Sequence, residues 1–138
     1  MHKFLIDVNV VLDVAIERTP YHESSKKILI LIETRKASGY LSSASFPIIY
    51  YLIRKHQKSG PAQSYIKDLM RLFSIVEMDR QVLERALEIA ADDFEDAIQM
   101  ASAEKVRADY IITRNAVDYS KSSITALAPA EYLATFKR

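Results

Sequence analysis

Residues 3–13 read Lys3-Phe4-Leu5-Ile6-Asp7-Val8-Asn9-Val10-Val11-Leu12-Asp13. The short apolar run predicts a buried strand over 3–8. Asn9 is a residue type that caps helices and predicts one beginning at Val10. An apolar strand running straight into a helix is how a parallel sheet covered on both faces begins.

The pattern continues outward from there. Thr19-Pro20 breaks the first helix, and a second is expected over about 21–35. Its run Ile28-Leu29-Ile30-Leu31-Ile32 would suit a strand, but its length and flanking lysines favour a buried helix. Residues 39–42 read as a second strand. Phe46, Ile49, Tyr50 and Ile53 fall at i, i+3, i+4, i+7, with Pro47 in the first turn of that helix. Ser59-Gly60-Pro61 ends it, and Ala62, Tyr65, Ile66 and Leu69 repeat the helical spacing. Residues 74–78 form a third strand, and Asp79 caps a helix through Ala90. Asp92-Asp93 precede another helix, with Phe94, Ala97, Ile98 and Ala101 as its core stripe. Residues 108–113 and 124–126 make the fourth and fifth strands, and Pro129 opens a last helix. Strands alternating with helices predict an α/β fold with a parallel sheet between helical layers.

The chain of 138 residues suits one domain, 1–138, and half of it is apolar (49%), enough for an ordinary core. Cysteine is absent, which removes disulfides and thiolate metal sites and fits a reducing compartment such as the cytoplasm. No segment reads as a signal peptide or membrane span. The net charge of +1 leaves any nucleic-acid contact to a local patch.

Three acidic residues fall where strands end. Asp7 follows the first strand, Asp118 lies a few residues past the fourth, and Asp96 sits in the first turn of the helix before the fourth. Open α/β sheets bind ligands beyond the carboxyl ends of their strands, where strand order reverses. If the first and fourth strands are neighbours, Asp7 and Asp118 converge there and Asp96 joins from the helix. Carboxylates gathered at one point need a cation or raised pKa values. Oxygen ligands alone suit Mg²⁺ or Mn²⁺, with waters completing the shell. Each residue also has a plainer role. Asp7 can turn the chain, Asp96 can complement a helix dipole, Asp118 can sit in a solvated turn, and Asn115 can cap a short helical turn.

Taken in order, FLIDVNVVLD at 4–13, DFEDAIQMASAEKVRADYIITRN at 93–115 and AVDY at 116–119 resemble the PIN-domain family. The resemblance covers nearly the whole chain. It implies a three-layer α/β/α fold around a five-stranded parallel sheet. It implies Asp7, Asp96 and Asp118 as metal-binding, catalytic carboxylates, with Asn9, Asp93, Thr113 and Asn115 in support. The family's usual activity is metal-dependent hydrolysis of RNA, and many small members are VapC-like toxins paired with an antitoxin. In one respect the chain departs from the family. Most active members carry a further acidic residue near the start of the helix over Ser45–Tyr51, and here that position is Ile48.

Arg54, Lys55, His56 and Lys58 cluster near a helix end, and Arg114 adjoins the expected site. All of these can meet RNA phosphates, and the cluster equally suits a solvated helix end. The three histidines lack ligand spacing. Eight tyrosines and an aromatic C-terminal helix suit a homodimer interface or the core. The alternatives are a catalytically weakened PIN-like module that binds nucleic acid or a protein, and a phosphoryl-accepting α/β domain. The phosphatase form of the latter wants a second aspartate where Asn9 stands, and the receiver form wants a lysine on a late strand; neither pattern is present.

Overall fold

A computed structural model describes residues 1–56 and 62–136. The elements run β1 (His2–Ile6), α1 (Val8–Ala15), α2 (His22–Glu33), β2 (Ala37–Ser42), α3 (Ser45–His56), α4 (Ala62–Leu72), β3 (Ser74–Val76), α5 (Arg80–Ile89), α6 (Phe94–Val106), β4 (Tyr110–Ile112), a 3₁₀ turn (Ala116–Tyr119), β5 (Thr125–Leu127) and α7 (Pro129–Thr135). The breaker Ser59-Gly60-Pro61 and Lys58 lie outside the described residues.

The five strands form one parallel sheet in the order β3-β2-β1-β4-β5. Alternation along the strands divides the core. Phe4, Ile6, Leu41 and Ile112 face α1, α2, α3 and α7, with Val10, Leu12, Ile28 and Ile49 packed against them. Leu5, Val76 and Ile111 face the other way, onto Met100 and Ala103 of α6. Helix α5 then packs on α6 through Val82, Ala86, Ala97 and Ala101. The expected α/β/α layering and five parallel strands are therefore present.

The 28–32 run belongs to α2. Ile28, Leu29 and Ile32 are buried and Ile30 is exposed, a helical stripe rather than a strand's alternation. The expected cap at Asn9 is wrong by two residues. Helix α1 begins at Val8 with Asp7 in the N-cap position, its backbone extended, and Asn9 lies inside the first turn. Asp79 does cap α5, accepting from the Val82 N–H at 3.0 Å. Gly39 of β2 is pressed from one side. A Cβ there would lie 2.7 Å from Ile32 Cδ1 and 2.8 Å from Phe73 Cδ1.

The aromatic C-terminal helix serves the core. Tyr132 stacks edge-on to Phe4 at 4.8 Å between ring centres, and Phe136 lies 4.8 Å from His2. His2 Nδ1 and the Tyr132 hydroxyl are 2.8 Å apart, joining the first strand to the last helix. Among the described residues, no helix is long and apolar enough to cross a membrane.

Candidate functional site

Strand order reverses between β1 and β4, which pair directly with Ile6 opposite Ile112. The condition for Asp7 to meet the exit of the fourth strand is thus fulfilled. The Asp7 N–H donates to the Ile112 carbonyl at 3.0 Å, extending the ladder by one bond before α1 begins. The next residue of β4's chain, Thr113, is buried and donates its hydroxyl to Asp7 Oδ2 at 2.7 Å. The Asn115 N–H donates in turn to Thr113 Oγ1 at 3.1 Å. Asp7 is therefore occupied by Thr113 instead of capping α1. Burial pushes its carboxyl pKa up, and the Thr113 hydrogen bond opposes that shift.

Helix α6 brings the second carboxylate. Asp93 is its N-cap and accepts from the Asp96 N–H at 3.2 Å, which sets Asp96 in the first turn. Asp7, Asn9, Ile48, Asp96, Gln99 and Tyr119 line a cleft of about 220 Å³. Desolvation first, then the charges of Asp93, Asp7 and Asp118, push the Asp96 pKa up to about 6. Asp118 stands in the 3₁₀ turn and lines the adjoining depression with Asp93 and Asp96. Asp96 is the residue shared by the two hollows. Among the described residues, no three His, Cys, Asp or Glu side chains converge into a ready-made metal cage. Asp7 and Asp96 share one cleft, and Asp118 reaches them as a neighbouring charge.

This donor set fits a Mg²⁺-like cation, which commonly takes one or two carboxylates and keeps its waters. Burial and the neighbouring Asp93, Asp7 and Asp118 carboxylates disfavour the Asp96 anion, an effect that a bound cation would offset. The Tyr119 hydroxyl is buried beside Asp7 and Asp96 without a well-formed hydrogen bond, and burial followed by those two charges holds its pKa up.

Gln99 was not anticipated from the sequence. Gln99, buried one helical turn beyond Asp96, donates its amide to Ser45 Oγ at 3.2 Å, while its Oε1 has no partner. Ile48, at the expected acidic position, does line the cleft. Asp13 is fully buried; the Ser25 hydroxyl donates to its Oδ2 at 3.0 Å, and Arg114 Nε lies 3.0 Å from the same oxygen. The Arg114 guanidinium also sits 4.0 Å over the Tyr21 ring. Arg114, expected to meet RNA, is thus mostly engaged inside the protein. Arg54, Lys55 and His56 are exposed at the end of α3, with Arg54 also 6.0 Å above the Tyr50 ring.

Comparison with known proteins bears on the fold and the family. Ribonuclease VapC1 from Aquifex aeolicus (strain VF5) is 27% identical over 123 residues, 86% of this chain and 85% of the relative. VapBC2 from Rickettsia felis, solved bound to a DNA fragment from its promoter, aligns with a TM-score of 0.70 at 12% identity, over 91% of this chain and 98% of that one. FitAcB from Neisseria gonorrhoeae aligns with a TM-score of 0.68 at 17% identity, over 92% and 98% of the two chains. These structures share the fold. The PIN-domain family model matches residues 3–116, from the first strand through the Thr113–Asn115 exit of the fourth. With that match over most of its length, the chain belongs to the PIN-domain family.

Proposed function

We propose that this protein hydrolyses RNA phosphodiester bonds with a bound Mg²⁺ or Mn²⁺, and that it is the toxin-like member of a toxin–antitoxin pair. The observation that carries the reading is Asp7 and Asp96 facing one cleft at the sheet's switch point, with the Asp96 pKa raised by burial and then by its acidic neighbours. A relative named ribonuclease VapC1 and similar folds in VapBC2 and FitAcB support the activity and the pairing.

Asp7 and Asp96 would hold the cation, with Asp118 supplying charge or a water-bridged contact from its edge. Bound there, the cation supplies Lewis acidity at the phosphate and a more acidic water. The chain's own residues orient and hold charge. Thr113 fixes one oxygen of Asp7, Asp93 fixes the first turn that carries Asp96, and Asn9 and Asn115 offer amides at the cleft wall. Arg54 and Lys55 provide exposed cations for the RNA backbone.

The test is cleavage of a labelled oligoribonucleotide by pure protein in Mg²⁺, in Mn²⁺ and in excess EDTA, beside Asp7→Asn. Cleavage is expected only with metal, and to fall about 100-fold or more in the variant. Equal cleavage by the variant, or in EDTA, would sink the mechanism. Ile48 favours a second reading, a weakened module that binds RNA or a protein partner. Metal-independent RNA binding without cleavage would support it. Co-purification with the product of a neighbouring reading frame tests the pairing.

A further inference from the structure

We propose that Asp13, Arg114 and Tyr21 form a clamp that positions Thr113, and through it Asp7, for cation binding. The inference rests on the metal-binding reading above and adds to it three positioning residues outside the cleft.

Asp13 is costly to bury. A fully buried carboxylate is expensive unless it is paired and hydrogen-bonded. Asp13 Oδ2 accepts from the Ser25 hydroxyl of α2 at 3.0 Å and forms an ion pair with the Arg114 guanidinium of the β4 exit, its Nε at 3.0 Å, a contact without hydrogen-bond alignment, while Asp13 Oδ1 has no hydrogen-bond partner. That guanidinium belongs to the residue between Thr113, which bonds Asp7, and Asn115, which bonds Thr113. Helix α1 begins directly after Asp7 and contains Asp13 near its other end. The β4 exit is therefore fastened to α1 at two points, Thr113 to Asp7 and Arg114 to Asp13. Backbone bonds from Asp7 to Ile112 and from Thr113 to Leu127 end at residue 113, and the Arg114 contact extends the tie to α1 beyond them. Tyr21, 4.0 Å beneath the guanidinium, holds the fork flat against the protein. A residue whose only task is to meet RNA would not need its charge spent on a buried acid.

The prediction follows from how such supports act on metal sites, where losing an outer partner weakens affinity about 10- to 100-fold. Mn²⁺ binding to the full chain would be measured by the electron paramagnetic resonance signal of free Mn²⁺ at pH 7.5. Arg114→Met is expected to weaken binding about tenfold or more, and Thr113→Val by a similar factor. The double variant should be no weaker than the poorer single one, because both substitutions cut the same path. Melting curves without metal establish that each variant folds. Where Arg114→Met does not fold, Arg114→Lys carries the test: it keeps the charge, loses the planar fork, and is expected to weaken binding by a smaller factor. Wild-type Mn²⁺ affinity in a folded Arg114 variant, or losses that multiply in the double variant, would overturn the clamp and leave the metal reading standing. A wild-type chain that binds no Mn²⁺ would overturn both.

Discussion

Asp96 has its pKa raised by burial and by three neighbouring carboxylates, Asp93, Asp7 and Asp118, and its titration has a definite sign. Its pKa is raised from 3.8 to about 6. Between these values the folded chain keeps a proton that the unfolded chain has released, so stability falls as pH rises through that window. Melting temperatures in EDTA should drop between pH 4.5 and 7.5, and Asp96→Asn should lessen the drop and melt higher than wild type at pH 7.5. An unchanged pH profile in the variant would show that Asp96 does not carry this load. Metal competes with the same proton, so Mn²⁺ affinity should weaken below about pH 6. A second substitution addresses the departure from the family. Ile48→Glu places a carboxylate on the cleft wall and is expected to lower the half-saturating Mn²⁺ concentration by about tenfold, measured by cleavage or by direct binding. At this scale Thr113 entered only through the family resemblance, whereas the nearness of Asp7 and Asp96 was readable because they stand at a strand end and a helix start. Gln99 was not, because an apolar stripe leads a reader to place intervening polar residues outside. The Asp13–Arg114 pair was hidden by distance, since no local spacing links positions so far apart in the chain.

Elements were easier to recognise than their ends. The helical identity of α2 followed from its length, and the fold's alternation from turn residues and apolar periods. The start of α1 was misplaced because Asn9 is a good cap in isolation, whereas β1's pairing with β4 ends the strand two residues earlier. Packing against β2 supplies a test at the same scale. Gly39→Ala forces a methyl against Ile32 and Phe73 at under 3 Å. We expect a loss of about 1–3 kcal/mol in urea unfolding, since overpacking moves rotamers or backbone. A neutral result would mean that α2 and Phe73 shift freely. Helix α3 places Ile48 and Leu52 on the cleft and leaves Arg54 and Lys55 exposed further along. Arg54→Glu with Lys55→Glu should raise KM for RNA while sparing metal binding, and should flatten the salt dependence of binding.

For the molecule as a whole, cation binding and stability are one equilibrium. A ligand that binds only the folded state at 100 times its Kd adds about 2.7 kcal/mol. For a chain of this size that is a rise of roughly 5–10 °C in Tm. Mn²⁺ should therefore raise the melting temperature of the wild type at pH 7.5 and leave that of Asp7→Asn nearly unchanged. The five-stranded order was inferable only in part. Apolar strands and intervening helices imply a parallel sheet, but the placement of β1 beside β4 depends on packing over the whole chain and enters the sequence only through Asp7 and Thr113.

The pairing of β1 with β4 also bears on how the protein is made. Asp7 leaves the ribosome well before its Thr113 partner, which is 106 positions later. At translation speeds of about 5–20 residues per second, several seconds separate the two. During that interval the nascent chain holds an acidic residue without the strand that orients it. In a chain with this topology the Asp7 carboxylate gains its Thr113 partner only once the fourth strand has been synthesised.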